Sequence, residues 1–310
     1  MKNNKYEDQT FLSLDITNKC GNRCQFCVVK DRLGTPKDMS LDTIESFLIK
    51  YKKQGFTSLN LHGGEPTEFE KLKELILLIN KLGYKDITIQ TNGSNLSNRL
   101  LVQFLLDNNV KTFVFSMHDC IPSFHNDVTG SLKSFEQATE GIKTVLELKG
   151  IVRTNTVLLK GNYTRISNII DYLYNLGVRT FNLSSLNPTW ALGNKETELF
   201  DRLMPRYKDL EFYIQRLLDE NKGKDVKIIL EGFPFCFLPN YNSHNLYNHK
   251  REIILLSYPG DSVCNYEDNL NKFNIRTKGI KCNTCTKNNI CRGVWTGYVD
   301  RFGWEEFQPL

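Results

Sequence analysis

Phe11-Leu12-Ser13-Leu14-Asp15-Ile16-Thr17-Asn18-Lys19-Cys20-Gly21-Asn22-Arg23-Cys24-Gln25-Phe26-Cys27 passes from an alternating apolar run into a loop with three cysteines. Three residues, then two, separate the thiols. Residues 11–17 read as a strand that delivers the loop. Three thiolates can hold three irons of a four-iron cube and leave the fourth iron without a protein ligand. An open iron binds a small molecule and does chemistry, whereas a fully ligated cluster mainly passes electrons. The competing reading is a zinc knuckle. Structural zinc takes four closed ligands, yet no fourth cysteine lies nearby and the nearest histidine is His62.

Downstream, the chain alternates. Strands are expected at 58–62, 86–91, 112–117, 152–159 and 180–184, where short or alternating apolar runs occur. Helices are expected at 41–54, with Ser40 as N-cap, and at 72–82, 97–107, 135–148 and 166–176, where the period is 3.6. Six strand–helix repeats imply a parallel sheet with right-handed crossovers. It could close fully, stay open and doubly wound, or curl into a partial barrel. In each case ligands gather at the C-terminal ends of the strands. The chemically suspicious residues fall there: the cysteine loop, Gly63-Gly64-Glu65-Pro66, Asn92-Gly93, His118-Asp119 and Asn187-Pro188.

The cysteine loop, with Phe26 just before its third cysteine, resembles the signature of the radical S-adenosylmethionine (SAM) superfamily. The resemblance implies a partial (β/α)6 barrel. It also implies a [4Fe-4S] cluster on Cys20, Cys24 and Cys27 whose open iron binds SAM, with reductive cleavage to a 5′-deoxyadenosyl radical. Gly63-Gly64-Glu65 is similar to the family's GGE motif, which binds the SAM amino group, and Pro66 shapes the turn. A Glu65 carboxylate facing that ammonium would make a charge-assisted contact. The resemblance further places Thr91 and Asn92 against SAM, Ser116 and Asn155 at its ribose, and Arg153 at its carboxylate. The alternative for each is a satisfied internal hydrogen bond. His118 reads equally as a substrate contact or a structural histidine, and Cys120 as a spare thiol or a substrate contact.

After about residue 188 the rhythm changes. Residues 196–222 read as charged helices and 226–230 as a further strand. From Glu231 the chain is loop-rich in Pro, Asn and Cys, and reads as an extension held by metal more than by a core. The expected division is 1–222 for the barrel with its trailing helices and 223–310 for the extension. Cys282-Asn283-Thr284-Cys285, then Cys291, forms a CxxCx5C array suited to zinc or to a second iron–sulfur cluster. It is similar to the middle of the SPASM and twitch extensions of radical SAM proteins, without their full cysteine count, which implies one auxiliary [4Fe-4S] cluster. In one branch of these proteins a Pro-Phe-Cys segment precedes the array, matching Pro234-Phe235-Cys236. That favours Cys236 as fourth ligand. Cys264 is the rival because it closes a smaller loop.

The nine cysteines are odd in number and clustered at both ends, which suits metal sites better than disulfides. The N-terminal stretch is polar, and no apolar run approaches the roughly 20 residues that span a bilayer, so a cytoplasmic protein without a membrane partner is expected. The net charge of +5 in 310 residues argues against nucleic acid and RNA modification. The expected function is therefore a radical SAM oxidoreductase or maturase. Its substrate would be a ribosomally made peptide or a small metabolite such as a sugar, cofactor or haem precursor. An electron donor such as flavodoxin or ferredoxin is implied. Only about ten residues precede the first strand, so a separate protein would present any leader peptide. A non-catalytic metal-binding protein is the reading from another class.

Overall fold

The computed structural model describes residues 9–34, 38–188, 197–248, 251–257, 262–265 and 273–310. Residue 196, the expected start of the charged helices, lies outside them. Nine strands form the main sheet: β1 (Gln9–Thr17), β2 (Ser58–Gly63), β3 (Asp86–Thr91), β4 (Val110–Ser116), β5 (Ile151–Leu158), β6 (Thr180–Ser185), β7 (Lys227–Glu231), β8 (Arg251–Ser257) and β9 (Ser262–Asn265). Their order is β7-β6-β5-β4-β3-β2-β1-β8-β9. Every pairing from β7 to β8 is parallel, and β9 is antiparallel to β8. No ladder among the described residues joins β7 to β9, so the barrel stays open, as expected.

The crossovers are helical: α1 (Leu41–Lys52), α2 (Leu72–Lys81), α3 (Arg99–Asp107), α4 (Pro122–Thr129), α5 (Ser134–Glu147) and α6 (Ile166–Asn175). Ser40 caps α1, its hydroxyl accepting from Thr43 N at 3.1 Å, which satisfies a donor the helix leaves open. Helix α4 is absent from the sequence expectation, although Pro122 at its first turn and Gly130 at its end bracket it. Strands β5 and β6 bury alternate residues, whereas β1 buries Leu12 through Thr17 without a break. On β5, Val152, Thr154, Thr156 and Leu158 are buried while Arg153, Asn155 and Val157 stand half-buried on the inner face.

The sheet runs on past residue 222. Besides β7, β8 adds an eighth parallel strand outside β1, pairing Ile253 with Phe11 and Leu256 with Leu14. This corrects the reading of that stretch as loop: Ile253-Ile254-Leu255-Leu256 is a short apolar run of the kind parallel sheets bury, set among turn-forming residues. The helices α7 (Thr197–Leu203) and α8 (Tyr207–Glu220) follow β6. The final segment carries a small ladder of β10 (Arg276–Thr277) and β11 (Val294–Trp295), then α9 (Thr296–Phe302).

A second correction concerns what holds this segment. Phe233, Phe237, Val294, Trp295, Tyr298 and Phe307 are buried and continuous with the main core. Tyr207 of α8 meets Phe233, Phe237, Tyr298 and Phe307 with ring centroids 4.7–5.6 Å apart, all edge-on, a favoured aromatic geometry. The Trp295 indole donates to Ser185 Oγ at 3.0 Å. The extension is thus held by aromatic residues that join the main core; scattered in a Pro- and Asn-rich stretch, they escape periodicity.

Candidate functional site

The cysteine loop leaves β1 at the C-terminal face of the sheet, and four sets of contacts fix its backbone. Toward β2, Gly64 N donates to Thr17 O and Glu65 N to Lys19 O, both at 2.7 Å. A Cβ on Gly63 would lie 2.5 Å from Thr17 O, and one on Gly64 2.2 Å from Lys19 O; Gly63 also has φ +139°. The two glycines are therefore needed for a backbone-on-backbone approach that only residues without a Cβ permit. Toward the turn after β2, Gly21 N donates to Glu68 Oε1 at 2.8 Å and Lys19 Nζ to Glu70 at 2.6 Å. Toward α4, Arg23 N and Gln25 N donate to Thr129 O and Val128 O at 2.8 and 2.9 Å. Within the segment after Cys27, Arg32 turns back to pair with Asp15 on β1.

Docking on α4 is the contact that sequence reasoning missed. Gly130 closes the helix at φ +62°, and a Cβ there would sit 2.6 Å from Arg23 O. Gly130→Ala is expected to destabilise the loop by about 1–3 kcal/mol through left-handed strain and that clash. The expected readout is faster iron loss from the reconstituted protein under a chelator, with far-UV circular dichroism unchanged. Iron release at the wild-type rate would show that the α4 contact is dispensable.

The three thiols are half-buried. Burial pushes the Cys20 thiol up to about 11 and raises Cys24 and Cys27; Cys20 and Cys27 add to the rise at Cys24. Among the described residues no three His, Cys, Asp or Glu side chains converge as on a single ion. Three thiols on one short loop are the donor chemistry that a four-iron cube with one open iron takes. Asn92 Nδ2 points at Cys20 Sγ across 3.7 Å.

Glu65 is fully buried. Its Oε1 accepts from Thr67 N, Thr67 Oγ1 and Thr91 Oγ1 at 3.0, 2.6 and 2.8 Å, and its Oε2 from Asn92 N at 2.6 Å. Burial raises its pKa, and these bonds oppose the rise. The carboxylate read from sequence as a contact to an ammonium is thus engaged in tying the end of β2 to the end of β3. Pro66 opens the turn at its first position and is buried.

The inner face of the sheet holds the remaining expected residues. Ser116 ends β4 in register with Asn155, which is in register with Asn182. Asn155 Oδ1 accepts from Asn182 Nδ2 and Ser184 Oγ at 2.8 and 2.7 Å, and Asn182 donates on to Glu231 at 2.6 Å. Arg153 lies two residues lower on the same face, level with Val114 and Thr180. His118 is structural in its contacts: Nδ1 accepts from Val157 N at 3.3 Å, and the ring meets Phe26 edge-on at 4.8 Å. Burial drives its pKa well below the ordinary value, and the neighbouring His125 adds to that. Cys120 follows Asp119, which is buried and paired with Arg165.

Far along the chain, Cys236, Cys282, Cys285 and Cys291 line one cavity of about 520 Å³ together with Ile280 and Trp304. Burial pushes the Cys236 thiol up to about 12, and the other three thiols add to it. Gly293 N donates to Cys291 Sγ at 3.3 Å. Cys264 stands on β9 opposite Leu255 and does not line this cavity. No helix of the described residues is long and apolar enough to cross a membrane.

Known proteins share this chain's sequence in part and its fold. The chain is 29% identical over 210 residues to a probable GTP 3′,8-cyclase of Saccharolobus islandicus, covering 66% of this chain and 65% of that protein. It is 32% identical over 173 residues to the GTP 3′,8-cyclase of Aquifex aeolicus, covering 54% and 53%. Among solved structures, Streptococcus suis SuiB bound to its precursor peptide SuiA superposes with a TM-score of 0.69 at 19% identity, over 98% of this chain and 75% of that one. The enzyme anSMEcpe, with bound AdoMet and a peptide, gives 0.58 at 20% identity, over 71% and 63%. These structural likenesses establish the fold. A family profile described as the radical SAM superfamily matches residues 14–173, about half the chain, from within β1 to within α6. The chain spans less than two thirds of the length of the curated relatives it matches, and it belongs to the radical SAM superfamily, whose members use SAM and a [4Fe-4S] cluster.

Proposed function

We propose that this enzyme is a maturase acting on a ribosomally made peptide, with one auxiliary [4Fe-4S] cluster in its extension. The observation that carries the reading is the second thiol cavity, four cysteines gathered from residues 236–291 around one space. The fold likeness to SuiB with its precursor peptide, spanning 98% of this chain, supports the peptide. When bound, the first cluster with SAM supplies a 5′-deoxyadenosyl radical able to take hydrogen from an unactivated carbon.

The protein's part is positional. Cys20, Cys24 and Cys27 would ligate the first cluster, and the backbone of Gly63, Gly64 and Glu65 would face SAM, since the Glu65 carboxylate holds Thr67, Thr91 and Asn92 in place. Ser116, Asn155 and, one level lower, Arg153 would line the rest of the SAM site. Asn155 would meet SAM through atoms not already engaged with Asn182 and Ser184. Cys236, Cys282, Cys285 and Cys291 would ligate the auxiliary cluster. The extension would cap the barrel mouth and exclude water. Residues 1–222 and 223–310 would be the two functional units, joined by the shared sheet. A flavodoxin or ferredoxin would donate electrons, and a separate protein would present any leader peptide.

The likeness to GTP 3′,8-cyclases favours a second reading, a small-metabolite substrate. The test is anaerobic reconstitution with iron and sulfide, then dithionite, SAM and candidate substrates. The expected result is 5′-deoxyadenosine with SAM alone, accelerated by a short peptide encoded beside this gene and accompanied by mass loss in that peptide. Acceleration by a nucleotide or sugar instead would overturn the peptide reading.

A further inference from the structure

The chain's charge is unevenly placed. Residues 273–299 hold Arg276, Lys278, Lys281, Lys287 and Arg292 and neither Asp nor Glu. Their charge of +5 equals that of the whole chain, so the other residues balance to zero. The same segment carries three of the four cavity thiols. Lys278 and Lys281 are exposed and line the cavity, whose single acidic lining residue is Asp300. Lys278 Nζ donates to the Asn288 carbonyl at 2.6 Å, and among the described residues Lys278, Lys281 and Lys287 have no acidic partner. Between the two exposed lysines Ile280 is 91% exposed, and Ile290, beside Cys291, is 49% exposed. Arg276 is turned inward, its guanidinium 3.6 Å from the centroid of the Trp295 ring. Lys278 and Lys281 thus flank the exposed Ile280 at the lining of a thiol-bearing cavity.

We propose that this surface docks a small acidic one-electron carrier protein. The proposal rests on the auxiliary-cluster reading, which makes the cavity a place where electrons arrive or leave. Like-signed charges around an exposed apolar centre match a partner with an acidic rim and an apolar centre. Such pairs associate quickly by electrostatic steering and dissociate readily, as a carrier must. The cavity's two lining lysines, Lys278 and Lys281, are both exposed, so they are open to a partner's surface as well as to the cavity.

The experiment uses reconstituted holoenzyme and fluorescently labelled flavodoxin, with anisotropy read from low to high salt. The double variant Lys278→Glu/Lys281→Glu is compared with Lys50→Glu/Lys53→Glu, an equal charge change on exposed lysines at the end of α1. The expected result is at least about tenfold weaker binding and a flattened salt dependence for the first variant only. Iron content and dithionite-driven 5′-deoxyadenosine formation should match wild type in both. Equal binding by wild type and the Lys278/Lys281 variant, or equal loss in both variants, would overturn the proposal. So would equally tight binding of a labelled single-stranded RNA of matching charge, which would mark a general polyanion surface. Iron content tests the underlying reading separately: wild type holding about four irons rather than eight would sink the auxiliary cluster, whatever flavodoxin does.

Discussion

Replacing Cys24 with alanine is expected to abolish 5′-deoxyadenosine formation and to remove about four irons per chain, the content of one cube. The backbone on either side of Cys24 is held independently of any metal, with Arg23 N and Gln25 N bonded to the end of α4. Phe26 is buried beside His118. The loop should therefore keep its path when the thiol is lost, and the effect should read on ligation rather than folding. Two irons of the cube, the open one and the one Cys24 would hold, would then lack a protein ligand, and loss of the cube is the expected result. Cys120→Ala is the matched control, since its thiol lies after β4 beside Asp119 and outside the loop. Iron assay and low-temperature electron paramagnetic resonance on the reduced protein would measure the loss. A Cys24→Ala protein that still cleaves SAM at the wild-type rate would remove the loop from the chemistry.

The elements around the first site were legible in the sequence where their determinants are local. The strand, the cysteine spacing, the Gly-Gly turn and Asn92 each lie within a few residues of a strand end, and the position of ligand sites at such ends is a property of the architecture. Side-chain partners were less legible. Glu65 carries the motif, yet its carboxylate serves Thr67, Thr91 and Asn92, which no spacing rule reveals. Gly130 and β8 were missed for a related reason: each matters through a partner more than a hundred residues away, Arg23 for the first and β1 for the second. The aromatic packing of the extension was hidden too, because Phe233, Tyr298 and Phe307 follow no period until the chain is folded. His118 was left open between two roles, and its bond from Val157 and its contact with Phe26 give it a structural one.

The last ligand of the second site is where a substitution pair decides most. Cys236→Ala is expected to cost about four irons per chain, and Cys264→Ala none. Loop length alone favours Cys264, because the shorter connection to the array is cheaper to close. That advantage is small: doubling a loop costs only about 0.6 kcal/mol, less than one good contact. The structure supplies several contacts on the other side. Phe233 and Phe237 stack with centroids 5.0 Å apart on either side of Cys236, and Phe235 is buried. The thiol faces Cys282, Cys285 and Cys291 across one cavity, whereas Cys264 is held in the β8–β9 ladder. Because the aromatic packing does not depend on metal, the Cys236→Ala protein should fold and keep its first cluster. SAM cleavage would continue uncoupled from product, the outcome also expected for Cys285→Ala. If instead Cys264→Ala lost the irons and Cys236→Ala kept them, β9 would have to leave β8 to ligate, and the cavity described here would not be the cluster site.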